Sequence, residues 1–402
     1  MDNLTVRLRQ LECHFKWKLN DLVGNMTVIN INEKLTVWMK TAKSDIQELS
    51  LLLLGYIYMT GLNDGVYEVN LAKAEAYLSE VKTIVSQNII ERMPFYLFIA
   101  LEAHRYHVLG QLQNCESRVK EAEALWEEIK DDPEQMACLL GARGFSLVQY
   151  GLQNYEEAVR SFDKALKLNP KEPLWHHLKG LCLARLRRYN KSEYPTKEEM
   201  ESLKKAISLS KEDNVDYIST YALSLSSVWS SNKKDKLLKD EILRYLDKMK
   251  VCRKNNAYIL LNCAKIYRYL HNNVEQKNCL LAANRITEEK NGHVLHQLGL
   301  YFWKSEKDFE KAKEYMKKSG IFYALVDYLV LKKTNHEINS EEYLSELSKL
   351  EKQGTFTKVE QALMLMWKEK ELEKQGKEKE LSRVREANNR LQKMKVQDVA
   401  QE

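Results

Sequence analysis

The sequence predicts an all-α protein, a tetratricopeptide-repeat superhelical solenoid with a long C-terminal helix. Three observations predict it. Only 14 Gly and 5 Pro occur in 402 residues, too few for the many tight turns of a β-rich chain. Charged residues make up 30% of the chain and apolar ones 44%, in short apolar clusters separated by charge, as amphipathic helices require. A 34-residue unit also recurs along most of the length.

The clearest unit runs from about Leu139 to Glu172. Tyr155, Ala158, Phe162, Ala165 and Pro170 take places 17, 20, 24, 27 and 32 of the pattern. Small Ala158 and Ala165 admit a partner helix closely, Tyr155 and Phe162 fill the seam, and Pro170 stops the second helix. Weaker copies centre on Gly55 and Tyr58, on Ala103 and Tyr106, and on Gly180 with Leu203 and Ala206. Further copies centre on Tyr221, Ala222 and Trp229, on Ala264 and Tyr267, and on Gly299. About seven helix pairs result, more than a stack needs to be stable. The expected divisions are an N-terminal helical cap over 1–46, the solenoid over 47–320, a further helix pair over 321–356, and a charged helix with a frayed tail over 357–402.

Seven cysteines show no CxxC spacing, and the polar start Met1 to Gln10 has no apolar core of a leader; a reducing cytoplasmic setting is expected. The stretch Leu51 to Met59 is about half a membrane span, so no membrane partner is expected. There is no GxxxxGK[ST], HExxH or GxSxG motif and no set of nucleophile, base or metal ligands, so neither an enzyme nor a cofactor is expected.

In such a stack the first helix of each pair lines the inner face through its second, fifth, ninth and twelfth places. The frames put His104, His107, Arg143, Tyr150, His177, Tyr258, Lys265, Arg268, His293, His296 and Trp303 there, with Arg185 one place on. No acidic residue falls among them. Cations for a backbone and flat rings for bases are what single-stranded nucleic acid needs. The same tyrosines and histidines also suit packing. Arg187, Arg188 and Lys191 extend the basic cluster around Arg185 and equally suit a solvated loop edge.

Leu11-Glu12-Cys13-His14-Phe15 followed by Trp17 is similar to the opening segment of the interferon-induced tetratricopeptide-repeat (IFIT) family. Gly144-Phe145 followed by Gln149 and Tyr155 resembles that family's Gly-Trp-x-x-x-Lys and later Tyr. Residues 258–268 (YILLNCAKIYR) and His296-Gln297 with Gly299-Leu300 resemble two more of its motifs, and the likeness covers roughly residues 8–305. The resemblance implies a curled, positively charged superhelix that holds RNA in a central tunnel. Some family members grip a 5′-triphosphate or an incompletely methylated cap; others bind other RNAs or act through sister repeat proteins, as antiviral effectors of the cytosol. Carried over position by position, Arg185 matches the phosphate-gripping Arg, and Tyr155, His296 and Gln297 match pocket positions. Phe145 replaces a cap-stacking Trp, Gln149 a phosphate-binding Lys and Leu261 a second Arg, while Asn30 and Lys34 align loosely with a polar pair. With about 1.5–3 kcal/mol for each charge-assisted contact, two missing cations imply a grip on triphosphate at least a hundred-fold weaker. The expected partners are therefore RNA, with capped or 5′-triphosphate ends the family's usual ligands, and related repeat proteins or a second copy. The alternative is a protein-interaction scaffold without end-specific RNA binding.

Overall fold

The computed structural model describes residues 3–388 apart from 18, 20–30, 33–34, 37–38, 40–43, 62–68, 86–91, 191, 193, 213, 232, 234, 253–255 and 353–357. Among the described residues every regular element is helical. The chain divides into two compact units, residues 1–224 and 225–402.

In the first unit, α1 (Asn3–Gln10) is followed by four pairs: α2 (Ser44–Thr60) with α3 (Leu71–Val85), α4 (Arg92–Val108) with α5 (Leu112–Ile129), α6 (Pro133–Gln149) with α7 (Tyr155–Leu168), and α8 (Pro173–Tyr189) with α9 (Lys197–Leu209). Helix starts follow the local chemistry. Asp132 accepts hydrogen bonds from the backbone N–H groups of Glu134 and Gln135, with Pro133 in the first turn; Glu172 does the same for Leu174, again beside a proline. These side chains satisfy amides that the first turn leaves unpaired.

Pair packing depends on close approach at small residues. A Cβ at Gly144 would lie 2.7 Å from the Phe162 ring, and one at Gly180 would lie 2.6 Å from Leu203. Phe162 in turn stacks on Trp175 at 6.0 Å. Gly144, not Ser146, thus fills the small eighth place of its pair. Counting back from Tyr155 slips by two residues, because Gly151 (φ 99°) and the 3₁₀ turn Leu152–Asn154 lengthen the connection.

Helix α10 (Val215–Ser231) contains the division between units. In the second unit follow α11 (Lys236–Cys252), α12 (Ala257–Tyr269) with α13 (Asn273–Ile286), α14 (Gly292–Tyr301) with α15 (Phe309–Ser319), α16 (Phe322–Thr334) with α17 (Ser340–Lys352), and α18 (Lys358–Gln375). The charged C-terminal run is shorter as a helix than expected. Gly376 takes φ 67°, and the Lys377 N–H bonds the Leu372 carbonyl at 3.2 Å, a left-handed glycine stop. Helix resumes over 378–388, and Arg385 reaches back to Glu369 at 2.8 Å and also to Glu373.

Candidate functional site

Within the first unit the first helices pack side by side, α2 on α4, α4 on α6 and α6 on α8, so their facing residues share one row. Arg185, late in α8, is half-buried. Its Nη1 donates to the Tyr155 hydroxyl at 2.8 Å, and its guanidinium lies over the Tyr155 ring at 5.4 Å. A hydrogen bond and a cation–π contact hold this cation in one orientation. Two turns earlier on α8, His177 is buried and stacks on Tyr217 of α10 at 4.5 Å. Burial, and then the Arg185 charge, push His177 down to about 3, so it is uncharged at neutral pH.

Phe145 and Gln149 come together one turn apart on α6, but not as an open pocket. Phe145 is 0% exposed, and the buried Gln149 amide donates to the Phe145 carbonyl at 3.1 Å. No ring face is left at the position expected to stack a cap. Arg143 leaves the inner row altogether: the two-residue slip turns it toward α7, where it pairs with Glu157 at 3.2 Å. Tyr150 is buried for the same reason. Arg187, open between a phosphate contact and a solvated loop edge, is neither: it is buried in a two-pronged pair with Glu199 at 2.8 and 3.2 Å, and Glu199 also accepts from Ser224. His104 lies flat against Phe15 at 3.8 Å and 8°, a packing role. Lys34, Asn30 and Lys191 lie outside the described residues.

In the second unit, Tyr258, Lys265 and Gln297 are half-buried and Arg268 is exposed, its guanidinium 5.5 Å from the Tyr269 ring. His296 of α14 meets Asp327 of α16, the next first helix, at 2.7 Å. A carboxylate therefore stands in a row expected to be free of acids, and one ring nitrogen of His296 is already engaged. Trp303 lies on a five-residue π turn, Phe302–Glu306, under Lys304 at 5.6 Å.

Counting missed two acidic residues, Asp216 and Asp327. Setting Ala222 at the eighth place would have put Asp216 at the second; burial pushes its carboxyl up to about 6. Asp327 falls in the pair after the last one framed. Two clefts of about 200 and 250 Å³ lie elsewhere in the first unit, the former lined by Glu48, Glu134, Glu172 and Trp175; three carboxylates suit it poorly to phosphate. Among the described residues no group of three or more His, Cys, Asp or Glu is placed to hold a metal ion, and no helix is long and apolar enough to cross a membrane.

No known protein-family model matches the chain. The human protein "IFIT1 homolog B" is 25% identical over 307 residues, which cover 73% of this chain and 60% of that relative's length. Among solved structures, the human IFIT1 dimer with m7Gppp-AAAA superposes with a TM-score of 0.71 at 18% identity, covering 93% of this chain and 83% of that one. The human IFIT1 dimer with PPP-AAAA gives 0.67 at 18% identity over the same shares. A monomeric IFIT1 mutant with Gppp-AAAA gives 0.72 at 17% identity, covering 94% and 84%. These superpositions carry the fold, and the curated relative carries the likeness in residues. Together with the motifs at its N-terminus and along its first helices, they make this chain similar in sequence and fold to the interferon-induced tetratricopeptide-repeat proteins.

Proposed function

We propose that this chain is an RNA-binding protein that holds single-stranded or 5′-end RNA against the cations and rings of its first helices. In that reading it is a cytosolic effector of antiviral innate immunity. The observation that carries it is Arg185, fixed by Tyr155 through a hydrogen bond and a ring face at the position that matches the family's phosphate-gripping Arg. A preorganised guanidinium suits phosphate, since little conformational freedom is lost on binding. The human relatives solved with capped and triphosphate RNA support the ligand class. Enclosure of Phe145 and Gln149 favours contact along the RNA backbone over stacking of a cap.

Fluorescence anisotropy with one oligonucleotide sequence carrying a 5′-hydroxyl, a triphosphate or a cap tests this at 50 and 200 mM salt. The wild type binds all three within about three-fold and weakens with salt. Arg185→Glu lowers affinity at least about ten-fold, the loss of one charged contact. Salt-insensitive binding, an unchanged variant, or no binding at any salt would sink the reading and leave a protein-interaction scaffold. Self-association, or assembly with related repeat proteins, is proposed alongside, and light scattering across a concentration series reads it.

A further inference from the structure

We propose that an open cleft between the N-terminal segment and the α4–α5 pair is a nucleobase-binding site. Arg185 does not line it, and the proposal stands whether or not RNA lies along the first helices.

The chain makes this cleft by laying the residues that follow α1 across one helix pair. Tyr96, early in α4, and Trp126, late in α5, come together because the paired helices run antiparallel, and their rings lie 5.2 Å apart at 39°. Leu11, just after α1, lines the same space, which measures about 250 Å³. An apolar cavity of about 150 Å³ admits benzene, so this one has room for a larger flat ring.

Charge at the rim cancels. Arg7 pairs with Glu123 through Nε at 2.8 Å and through a second nitrogen, and Lys16 pairs with Glu12. With both cations matched, the opening has no net pull on a phosphate or a metal ion, and a neutral ligand suits it best.

The interior narrows the choice. Tyr96 is 1% exposed, and its hydroxyl accepts the Glu12 backbone N–H at 2.9 Å. Among the described residues its own proton has no acceptor, and neither has the indole N–H of Trp126. Flat apolar walls with two unused donors call for a planar ring that carries acceptors in its own plane. Water in the cleft satisfies the donors but leaves the ring faces wet; a base engages the donors and covers the faces. The carbonyl oxygens of uracil and guanine and the ring nitrogens of adenine are such acceptors. A phenyl group has none, which separates a base from the aromatic side chain of a protein partner.

The test uses the full chain and free nucleosides, read by saturation-transfer NMR with a thermal melt beside it. At least one of uridine, cytidine, adenosine and guanosine should bind with a dissociation constant of about 1 mM or tighter. Its affinity should not change between low and physiological salt, because no net charge meets it. Tyr96→Phe and Trp126→Phe each keep a ring and lose one donor, and each should weaken that nucleoside about five-fold while retaining a cooperative melt. Ribose, which lacks the base, and benzyl alcohol, which lacks ring acceptors, should bind at least about ten-fold more weakly. Three results would overturn the proposal: no nucleoside bound by the folded wild type, equal binding by wild type and both variants, or benzyl alcohol bound as tightly as the nucleoside. The last would make the cleft a pocket for an aromatic side chain. The same variants titrated with the RNA oligonucleotide identify the source of the base. Weaker RNA binding places a base of the RNA in the cleft, and unchanged RNA binding leaves a free nucleoside as its ligand.

Discussion

The two units of this protein differ in what they do with charge. Residues 1–224 carry 28 basic and 31 acidic side chains, net −3, whereas residues 225–402 carry 35 and 26, net +9. Both units bury polar groups, but the first buries more of its charged and titratable ones. Arg187 and Glu199 are enclosed together, and burial holds His14, His104 and His177 each down at about 3. In the second unit lysines form pairs near the surface, Lys313 with Glu310 and Glu337 and Lys277 with Glu306, and Arg268 stays exposed. Charge in excess on a surface attracts a polyanion over distance, while a buried, oriented group discriminates at contact. For the proposed function, the excess charge of the second unit would add attraction at a distance, and Arg185 of the first would be the fixed contact.

Acid should separate the units most strongly. The three buried histidines are held below their usual value, so the unfolded chain binds more protons than the folded one between about pH 6.5 and 3. Their contribution is intact above pH 6.5 and is lost as pH falls through that window, with a slope of up to about 1.4 kcal/mol per pH unit for each. Hydrogen exchange at pH 7.5 and 5 should show protection falling in α2, α4 and α8 before α12 to α16. Loss in the second unit first would break the contrast.

Next in size is the buried pair. Glu199→Ala leaves Arg187 enclosed without its carboxylate and should cost about 3–5 kcal/mol in urea unfolding, with α8 and α9 opening first. A loss under about 1 kcal/mol would show that water reaches Arg187 freely. Asp216→Asn should act in the opposite direction. With its carboxyl raised from 3.8 to about 6, the folded state holds the proton longer, so stability falls as pH rises through that window. The substitution should gain about 1–3 kcal/mol at pH 7.5 and nothing below pH 3.8.

The smallest effect tests the division of labour directly. Lys265→Glu and Arg268→Glu should each weaken RNA binding about ten-fold and lower the salt slope by about one. Arg160→Glu, reversing an exposed charge of the first unit, should change affinity less than about two-fold. Equal losses from all three would mean that the two units attract RNA alike.

Much of the architecture could be read before any coordinates. Gly180 and Gly299 stood at small places of the pattern, and both prove to be points where a Cβ would clash, with Leu203 and with Met316. Such positions are legible because close helix packing tolerates only small residues, wherever the rest of the repeat has drifted. The individual inner-row residues were less legible. Arg143 was misplaced because a 3₁₀ turn adds residues without leaving a pattern in hydrophobic spacing, and two residues on a helix amount to about 200° of rotation. Gly376 carried its own signal, a lone glycine in a helix-forming run, although only the backbone shows it as a stop.

By itself the sequence determined the helical class, the pairing of helices and the family resemblance, because these depend on periodicity and on short motifs that survive divergence. Tertiary structure decided which of the matched residues are available. It fixed Arg185 against Tyr155, enclosed Phe145, gave Arg187 to Glu199 and His296 to Asp327, and buried His177 against Tyr217. The physical reason is that a repeat pattern specifies which way a side chain points along its own helix. What it meets there depends on the neighbouring helices, and a one-dimensional frame does not encode their insertions and exact rotation.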